Sequence, residues 1–265
     1  MNPFHSLGRL TLSFMSYLGQ LGYLVGGIIE SLLKGQRRYQ QTFAQVAEIG
    51  GRSQTVVIIT GAFTGAVLAA QALFQFKLFG LETAAGGLVS VAMLRELGPS
   101  ITGLMLAGRV GSAMAAEIGT MKVTEQIDAL RSMAVHPIDY LVTPRLVAMI
   151  ISVPLLIAEA AAFGIFASYV IGVHVFHVEG AYWVANMTKY ADLSDVFIAV
   201  IKGLSFGIII VIISCHQGLK ASNGAVGVGR GTTNAMVYSS LAILIANFFL
   251  TLLMQHFFPA EFMTN

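Results

Sequence analysis

The sequence predicts an all-α integral membrane protein with five transmembrane helices in a single domain. The chain has 265 residues, of which 56% are hydrophobic and only 11% are charged, and its mean hydropathy is +0.77. A soluble domain carries about 25% charged residues, so this chain has too little polar surface for a water-soluble fold. Five apolar stretches are long enough to cross a bilayer as tilted helices. They cover residues 55–76, 84–107, 146–173, 196–219 and 235–258.

An interfacial helix is expected before the first span. Residues 10–29 carry no charge, but serine, glutamine and glycine dilute their hydrophobicity. The basic sequence KGQRR follows, where a signal peptide would have a small-residue cleavage site. We expect an elbow-like helix on the cytoplasmic leaflet, with Lys34, Arg37 and Arg38 among the headgroups. A sixth span at residues 10–33 stays open. Residues 1–50 would form the interfacial N-terminal part of the single domain, 1–265, and residues 51–265 its five-span core.

Basic residues are distributed unequally between the two sides of these spans. Most lysines and arginines precede span one, lie between spans two and three, or lie between spans four and five, whereas Lys77 and Lys189 fall on the opposite side. Short cytoplasmic segments carry an excess of basic residues. We therefore expect a cytoplasmic N-terminus, an external C-terminus and a cytoplasmic connection between spans two and three. The basic residues form no concentrated patch, so nucleic acid is not an expected partner.

Residues 117–131 bring charges into an otherwise apolar chain. Ile127, Leu130 and Ala134 recur at helical spacing between charged residues, which predicts a short amphipathic surface helix outside the bilayer. His136 should end this helix, because a residue that precedes proline is pushed out of the α region.

Small residues at helical spacing are expected to bring membrane helices together. They recur at every fourth position from Gly103 to Gly119, at Gly61 and Gly65 in span one, and at Gly164 in span three. Such rows allow close backbone approach in lipid.

Three ionisable residues, Arg95, Glu96 and Lys202, lie deep within predicted spans two and four. Arg95 and Glu96 are roughly 16 Å from the start of span two at about 1.5 Å per residue. A charge at this depth costs about 2.5 to 3.5 kcal/mol, so it should face protein or a wet cavity. Two interpretations stay open: contact with a lipid headgroup in a shared cavity, or an internal ion pair of Glu96 with Lys202 or Arg95. Glu159 in span three is expected to join helices.

Two functions of other classes stay open as alternatives. The intramembrane charges alone would equally allow a secondary transporter or channel, although the two halves show no inverted repeat. Residues 203–207 spell GxSxG, which would allow an intramembrane serine protease with Ser205 as nucleophile and His216 or His256 as base. A nucleophile elbow needs a strand, a turn and a helix, whereas this motif lies within an apolar helical stretch.

No cofactor, metal or nucleotide site is expected. Residues 224–231 look like a P-loop but carry Arg230 and Gly231 where lysine and a hydroxyl residue are needed. We expect these glycines to shape the cytoplasmic turn before span five, with Arg230 among the headgroups. His174 and His177 lack an evident third metal ligand, and Cys215 is the only cysteine, so the chain cannot form an internal disulfide.

Four sequence blocks carry a family resemblance. They are LRELGP (residues 94–99), AGRVGSAMAAEIGTMKVTEQIDAL (107–130), YLVTPRLVA (140–148) and GAVGVGRGTTNAMV (224–237). The chain resembles the MlaE-type (YrbE-like) permeases of ABC systems that transport lipids with MCE-domain proteins. The likeness covers roughly residues 50–250, and blocks this long rarely arise by chance.

The resemblance implies the homodimeric permease subunit of an ABC transporter. It implies two copies of a separate ATPase, an MCE-domain protein outside and, as a further partner, a STAS-domain protein. The substrate would be phospholipid, moved between the bacterial inner membrane and the outer membrane or envelope to maintain outer-membrane lipid asymmetry. The chain itself would contain no catalytic residue, because the partner hydrolyses ATP.

The resemblance also implies roles for two sets of residues. Residues 117–131 would be a cytoplasmic coupling helix, with Ile127 and Leu130 filling an apolar groove of the ATPase. If the substrate is phospholipid, as the resemblance implies, the depth of Arg95, Glu96 and Lys202 makes them the expected contacts of its headgroup. The residues expected to engage the ATPase are Glu117, Gly119, Thr120, Thr124, Glu125, Gln126, Ile127, Asp128, Leu130 and Arg131.

Overall fold

The computed structural model describes residues 3–34 and 38–257, and these residues form helices with no β-strand. The prediction of an all-α chain is therefore confirmed. The α-helices are α1 (Pro3–Lys34), α2 (Tyr39–Lys77), α3 (Ala85–Ala92), α4 (Gly98–Leu106), α5 (Ser112–Val123), α6 (Gln126–Ser132), α7 (Thr143–Val170), α8 (Gly180–Tyr190), α9 (Leu193–Leu219) and α10 (Gly224–Phe257).

Four helical runs of the described chain are long and apolar enough to cross a membrane. They are Tyr39–Lys77, Ile138–Val175, Leu193–Leu219 and Gly224–Phe257. These runs contain predicted spans one, three, four and five, apart from Phe258 at the end of span five. Phe258 and Arg37, one of the basic residues expected among the headgroups, lie outside the described residues.

The region of predicted span two is helical but not regular. The helices α3, α4 and α5 continue into one another through π-helical turns at Met93–Leu97 and Ala107–Gly111. No single α-helical segment here has the length of a span, because each π turn adds a residue and changes the hydrogen-bond pattern.

The described N-terminal part of the chain contains α1 and the beginning of α2. In the second half of α1, Leu24 and Ile28 are buried, and the hydroxyls of Ser31 and Thr143 lie 2.7 Å apart. The helix α2 begins at Tyr39 and passes without interruption through residue 50, so the expected division between N-terminal helices and core falls inside one helix.

The helices α2 and α7 form a close backbone contact. A β-carbon added at Gly61 would lie 2.5 Å from the carbonyl oxygen of Ala160, and one added at Gly65 would overlap the backbone of Gly164. Small residues therefore bring these helices together as predicted, since packing drives helix association in lipid. A polar contact adds to the interface, because Gln54 Nε2 donates to Glu159 Oε1 at 2.9 Å.

The turn between α9 and α10 is shorter than the sequence suggested. Asn223 and Gly224 have φ angles of 63° and 64°, and α10 begins at Gly224. The expectation that the glycines of residues 224–231 form the turn is wrong for all but Gly224. Tertiary contact explains the difference at one of them, because Gly231 is buried in α10 close to the backbone of Gln217.

The chain reversal after α6 also occurs earlier than predicted. The helix ends at Ser132, and Ala134 has a φ of 58°. The N–H of Val135 donates to the carbonyl of Leu130 at 3.0 Å, which closes the helix end in the manner of a Schellman motif. A left-handed alanine, rather than the proline that follows His136, therefore ends this helix.

Substitution of Gly65 tests the contact between α2 and α7. We expect Gly65→Val to lower the free energy of unfolding by about 1 to 3 kcal/mol, because the new side chain must push against backbone atoms. The measurement is the unfolding midpoint in detergent micelles. Gly51→Val is the matched control, since no atom lies within 4 Å of a β-carbon at Gly51. Equal midpoints for Gly65→Val and the unchanged chain would contradict the close contact.

Candidate functional site

Glu96 and Lys202 form an ion pair between the π turn at Met93–Leu97 and α9. The Lys202 ammonium lies 2.9 Å from Glu96 Oε1, and the side chains are 0% and 38% exposed respectively. A buried ammonium is stable only when its charge and its N–H groups are satisfied. Lys202 therefore depends on Glu96 as its counter-ion.

Pro99 explains a second contact of Lys202. Proline has no N–H, so it cannot donate to the carbonyl of Arg95 four residues earlier in the helix. The Lys202 ammonium donates to that carbonyl at 2.7 Å and to Thr251 Oγ1 at 2.9 Å. The three donors of the ammonium thus meet a carboxylate, a backbone carbonyl and a hydroxyl.

Arg95 has a different partner, because consecutive residues of a helix project about 100° apart. Its Nε donates to Asp195 Oδ1, and Asp195 Oδ2 accepts from the N–H of Asp192 at 3.0 Å. The two aspartates cap α9 reciprocally. The pKa of Asp192 lies below its ordinary value because its carboxylate accepts from the Leu193 N–H and, more weakly, from the Ser194 hydroxyl.

Two side chains of α10 also bind the Glu96 carboxylate, one at each oxygen. Asn247 Nδ2 donates to Glu96 Oε2 at 3.1 Å, and Thr251 Oγ1 donates to Glu96 Oε1 at 2.8 Å. The charge cluster is the name used below for the six residues that these contacts connect: Arg95, Glu96, Asp195, Lys202, Asn247 and Thr251.

Sequence analysis missed Asp195, Asn247 and Thr251, although each left a signal. Asn247 and Thr251 are one helical turn apart in an apolar stretch and therefore share a face. Asp192 and Asp195 have the spacing of a capping box before an apolar run. A polar pair one helical turn apart in an apolar stretch, or a capping pair before one, therefore indicates possible partners of a buried charge.

The charge cluster joins three helical elements and leaves one side accessible. Ion pairs connect the π turn to α9, and hydrogen bonds connect it to α10. Asn247 Oδ1 is buried and has no hydrogen-bond partner among the described residues, while Glu96 is partly exposed. The internal ion pair that the sequence left open is present, and the Glu96 side chain is 38% exposed beside it.

The segment that was predicted as one coupling helix, residues 117–131, is divided between two helices. Glu117, Gly119 and Thr120 belong to α5, and the residues from Gln126 onward belong to α6. The division lies at Glu125, whose φ of 61° interrupts the helical conformation. Residues 124–137, which contain α6 and lead to the π turn at Ile138–Val142, are called the connector below.

Ile127 is not available to a partner. Its side chain is 0% exposed and belongs to the central hydrophobic core, and Leu130 packs against the same core while half-buried. The prediction that Ile127 fills a groove of the ATPase is therefore wrong, because the apolar face of α6 packs onto its own protein. The sequence pattern identified an apolar face but could not show what covers it.

Of the upstream residues of this set, Gly119 is buried, whereas Glu117 and Thr120 are exposed and line a cavity. Glu117 Oε2 lies 2.8 Å from the guanidinium of Arg145, which is itself buried, and a β-carbon on Gly119 would touch that of Ala221 at 3.3 Å. Thr120 and Gln126 line a cavity of about 890 Å³ between α2, α5 and the start of α7. Glu117 and Gly119 therefore contact α7 and the turn between α9 and α10 of their own chain.

The outward face of the connector is polar. Asp128 lies 3.1 Å from the Lys122 ammonium and 3.2 Å from the Arg131 guanidinium. Thr124, Glu125 and Gln126 are exposed. Met133, directly after α6, is 65% exposed. Sequence analysis did not identify this exposed apolar side chain on the connector.

Ser205 does not occupy the setting of a hydrolase nucleophile. It lies within the uninterrupted helix α9, and its hydroxyl donates to the carbonyl of Ile201 at 2.9 Å. A nucleophile elbow would place the serine on a sharp turn between a strand and a helix. The structure offers no support for the protease alternative.

Fold and site together define a class of protein. The chain is a multi-pass helical membrane protein that carries ion-paired charges within its apolar helices and an exposed charged connector between two of them. Charges inside membrane helices typically mark a functional path or hold helices together.

The comparisons with known proteins identify the family. A sequence model described as Permease MlaE matches residues 42–253. A probable ABC transporter permease protein of Rickettsia typhi is 39% identical over 251 residues, 95% of this chain and 97% of that protein. A second, from Synechocystis, is 41% identical over 232 residues, 88% of each chain. The intermembrane phospholipid transport system permease protein MlaE of Haemophilus influenzae is 32% identical over 255 residues, 96% of this chain and 98% of that protein. The chain belongs to the MlaE permease family.

A double-mutant cycle measures the ion pair. We expect Lys202→Met to lower the free energy of unfolding by about 2 kcal/mol, less than the 3 to 5 kcal/mol of a fully buried pair, because Glu96 is 38% exposed. Addition of Glu96→Gln should restore part of the loss, since no unpaired carboxylate then remains. Lys77→Met, at an exposed position on α2, should change stability by less than about 0.5 kcal/mol. Strictly additive losses in unfolding experiments would contradict the pairing.

Proposed function

We propose that the chain is the permease subunit of an ABC transporter that moves phospholipid between the inner membrane and the outer membrane or envelope. The observation that carries the proposal is the likeness to a phospholipid transport permease over nearly the full length of both chains. The charge cluster supports it, because a membrane protein that only needed tight packing would not require six polar side chains inside its helices. In a bacterial envelope this activity maintains the lipid asymmetry of the outer membrane.

The proposed topology has five spans. Four are the long apolar runs, and the fifth is the irregular helical region from α3 to α5, whose π turn at Met93–Leu97 is bound by side chains of α9 and α10. The helix α1 lies at the cytoplasmic interface, and the connector is cytoplasmic. The distribution of lysine and arginine supports this orientation.

Phospholipid headgroups are proposed to bind at the accessible side of the charge cluster. Arg95 is 19% exposed and Glu96 38% exposed at the side-chain level, so a phosphate can approach the guanidinium and an ammonium or hydroxyl can approach the carboxylate. Lys202 is buried, and its proposed role is to hold Glu96 in place.

The connector is proposed to transmit the motion of a separate ATPase. The exposed side chains of Thr124, Glu125, Gln126, Asp128 and Arg131 supply polar contacts, and Met133 supplies an accessible apolar one. Ile127 carries force inward, because its packing in the core ties α6 to the membrane helices. This chain contributes no catalytic residue, and the ATPase hydrolyses the ATP.

The proposed assembly contains two permease copies, two ATPase copies and an MCE-domain protein on the outer side, with a STAS-domain protein as a further component. The helix α10 has the exposed apolar surface that a dimer or lipid must cover. Leu244, Ile245, Phe248 and Phe249 contribute to that surface. Such apolar surface is compatible with lipid contact as well as with a protein interface.

Charge reversal on the connector tests the coupling. We expect Glu125→Lys combined with Asp128→Lys to reduce ATP-dependent phospholipid transfer between vesicles at least tenfold, because both side chains face the proposed ATPase surface and opposite charges are placed there. Co-purification of the ATPase should fall in parallel. The abundance of folded permease should change little, since both side chains are exposed.

The matched control is Glu82→Lys combined with Glu179→Lys, which makes the same change in net charge beside α3 and α8, away from the connector. This control should retain both transfer and co-purification. Unchanged transfer in the connector variant would refute the coupling role. Equal losses in both variants would show that net charge, rather than the connector, is responsible.

A further inference from the structure

A basic cavity lies between the middle of α1, the connector and the end of α9. Its volume is about 770 Å³, and it is separate from the charge cluster. Its polar lining includes Gln20, Tyr23, Lys122, Arg131, His136 and Lys220.

The charges around this cavity are mostly positive. Lys122, Arg131 and Lys220 line it, and no carboxylate is among the lining residues that the structure describes. Asp128, at its edge, pairs with both Lys122 and Arg131. Lys220 is exposed and makes no ion pair with any residue of the described ranges. A net positive potential therefore remains and favours an anionic ligand.

The cavity also presents polar groups that a phosphate ester can use. His216 is 7% exposed and lines the cavity. Its Nε2 lies 3.2 Å from Gln20 Oε1, while its Nδ1 is buried with no hydrogen-bond partner in the described chain. The Tyr23 side chain is 81% exposed beside them.

The shape around the cavity suits a lipid rather than a free ion. Leu24, Ile127 and Ile138 form an apolar floor. Along α1, apolar side chains on either side of the cavity face outward, including Met15, Leu18, Leu32 and Leu33. A headgroup in the cavity would therefore place acyl chains along an exposed apolar helix surface, as interfacial helices do.

We propose that this cavity binds the phosphate-bearing headgroup of an anionic phospholipid from the cytoplasmic leaflet, with its acyl chains along α1. Basic pockets beside membrane helices on the cytoplasmic side favour such headgroups. The site is distinct from the transport path, although it rests on the proposed cytoplasmic placement of the connector. Because Lys122 and Arg131 also contact Asp128, a bound headgroup would compete with Asp128 for these cations and so alter the connector.

Photolabelling tests the proposal. The full-length permease, purified with whatever ATPase accompanies it, is reconstituted in vesicles that contain a photoactivatable phosphatidylglycerol, and labelled peptides are mapped by mass spectrometry. Labelling should fall on α1 near Tyr23 and on the connector. Lys220→Glu should reduce it about thirtyfold, since each basic charge near a membrane surface contributes about 1 kcal/mol and the reversal changes the charge by two. Lys189→Glu, the same charge change at an exposed position on α8 outside the cavity, should leave it unchanged.

Competition separates the sources of the phosphate. Dioctanoyl phosphatidylglycerol should displace the photolabel, whereas inorganic phosphate and dioctanoyl phosphatidylcholine should not. Displacement by inorganic phosphate alone would overturn the lipid assignment. Labelling that is equal in Lys220→Glu and the unchanged protein would overturn the site.

A second experiment tests the cavity without a charge-reversal variant and without a transport measurement. A photoreactive amino acid at position 23, which is exposed at the cavity, should form adducts with phosphatidylglycerol. Adducts with a partner protein alone would overturn the proposal in favour of a protein occupant. Neither experiment requires ATP. They therefore test lipid binding at the cavity separately from the proposed coupling through the connector.

Discussion

The contact between Lys202 and the π turn is the constraint on which the site depends. Pro99 leaves the carbonyl of Arg95 without its helical donor, and the Lys202 ammonium fills that position while pairing with Glu96. A buried lysine needs a counter-ion, and an irregular membrane helix needs a donor for its free carbonyl. The contact between Lys202 and the π turn meets both needs. Through Thr251 the same ammonium reaches α10. The Lys202 side chain on α9 therefore contacts both other helical elements of the charge cluster.

Much of the architecture could be predicted because hydrophobicity and charge reflect the membrane directly. The length of apolar stretches located four helical runs that can cross a membrane, and rows of small residues indicated close helix packing, which the structure shows between α2 and α7. The depth of Arg95, Glu96 and Lys202 indicated that they must find partners, because unpaired charges in lipid are too costly. The sequence also showed that the adjacent Arg95 and Glu96 must face differently, and the structure gives them separate partners.

The remaining features depend on tertiary contacts that no local pattern contains. The apolar side of α6 was visible in the spacing of Ile127 and Leu130, but only the fold shows that this side packs onto the protein's own core. The left-handed Glu125 divides a segment whose composition suggested one helix. Glycines of residues 224–231 indicated a turn by propensity, yet α10 continues through them, with Gly231 packed beside α9. Propensity is a weak guide where packing decides.

The most direct test of the central claim uses a photoactivatable phospholipid in vesicles that hold the permease with its co-purifying ATPase, so that every residue of the charge cluster is retained. We predict labelled peptides around Arg95 and Glu96 whose yield changes on ATP hydrolysis, because substrate lipid should enter and leave the charge cluster. Peptides around position 166 on α7, where Phe166 is 63% exposed, should be labelled to an extent that ATP does not alter. Absence of label around Arg95 and Glu96, or label there that ATP leaves unchanged, would mean that the charge cluster only holds helices together and that the lipid path lies elsewhere.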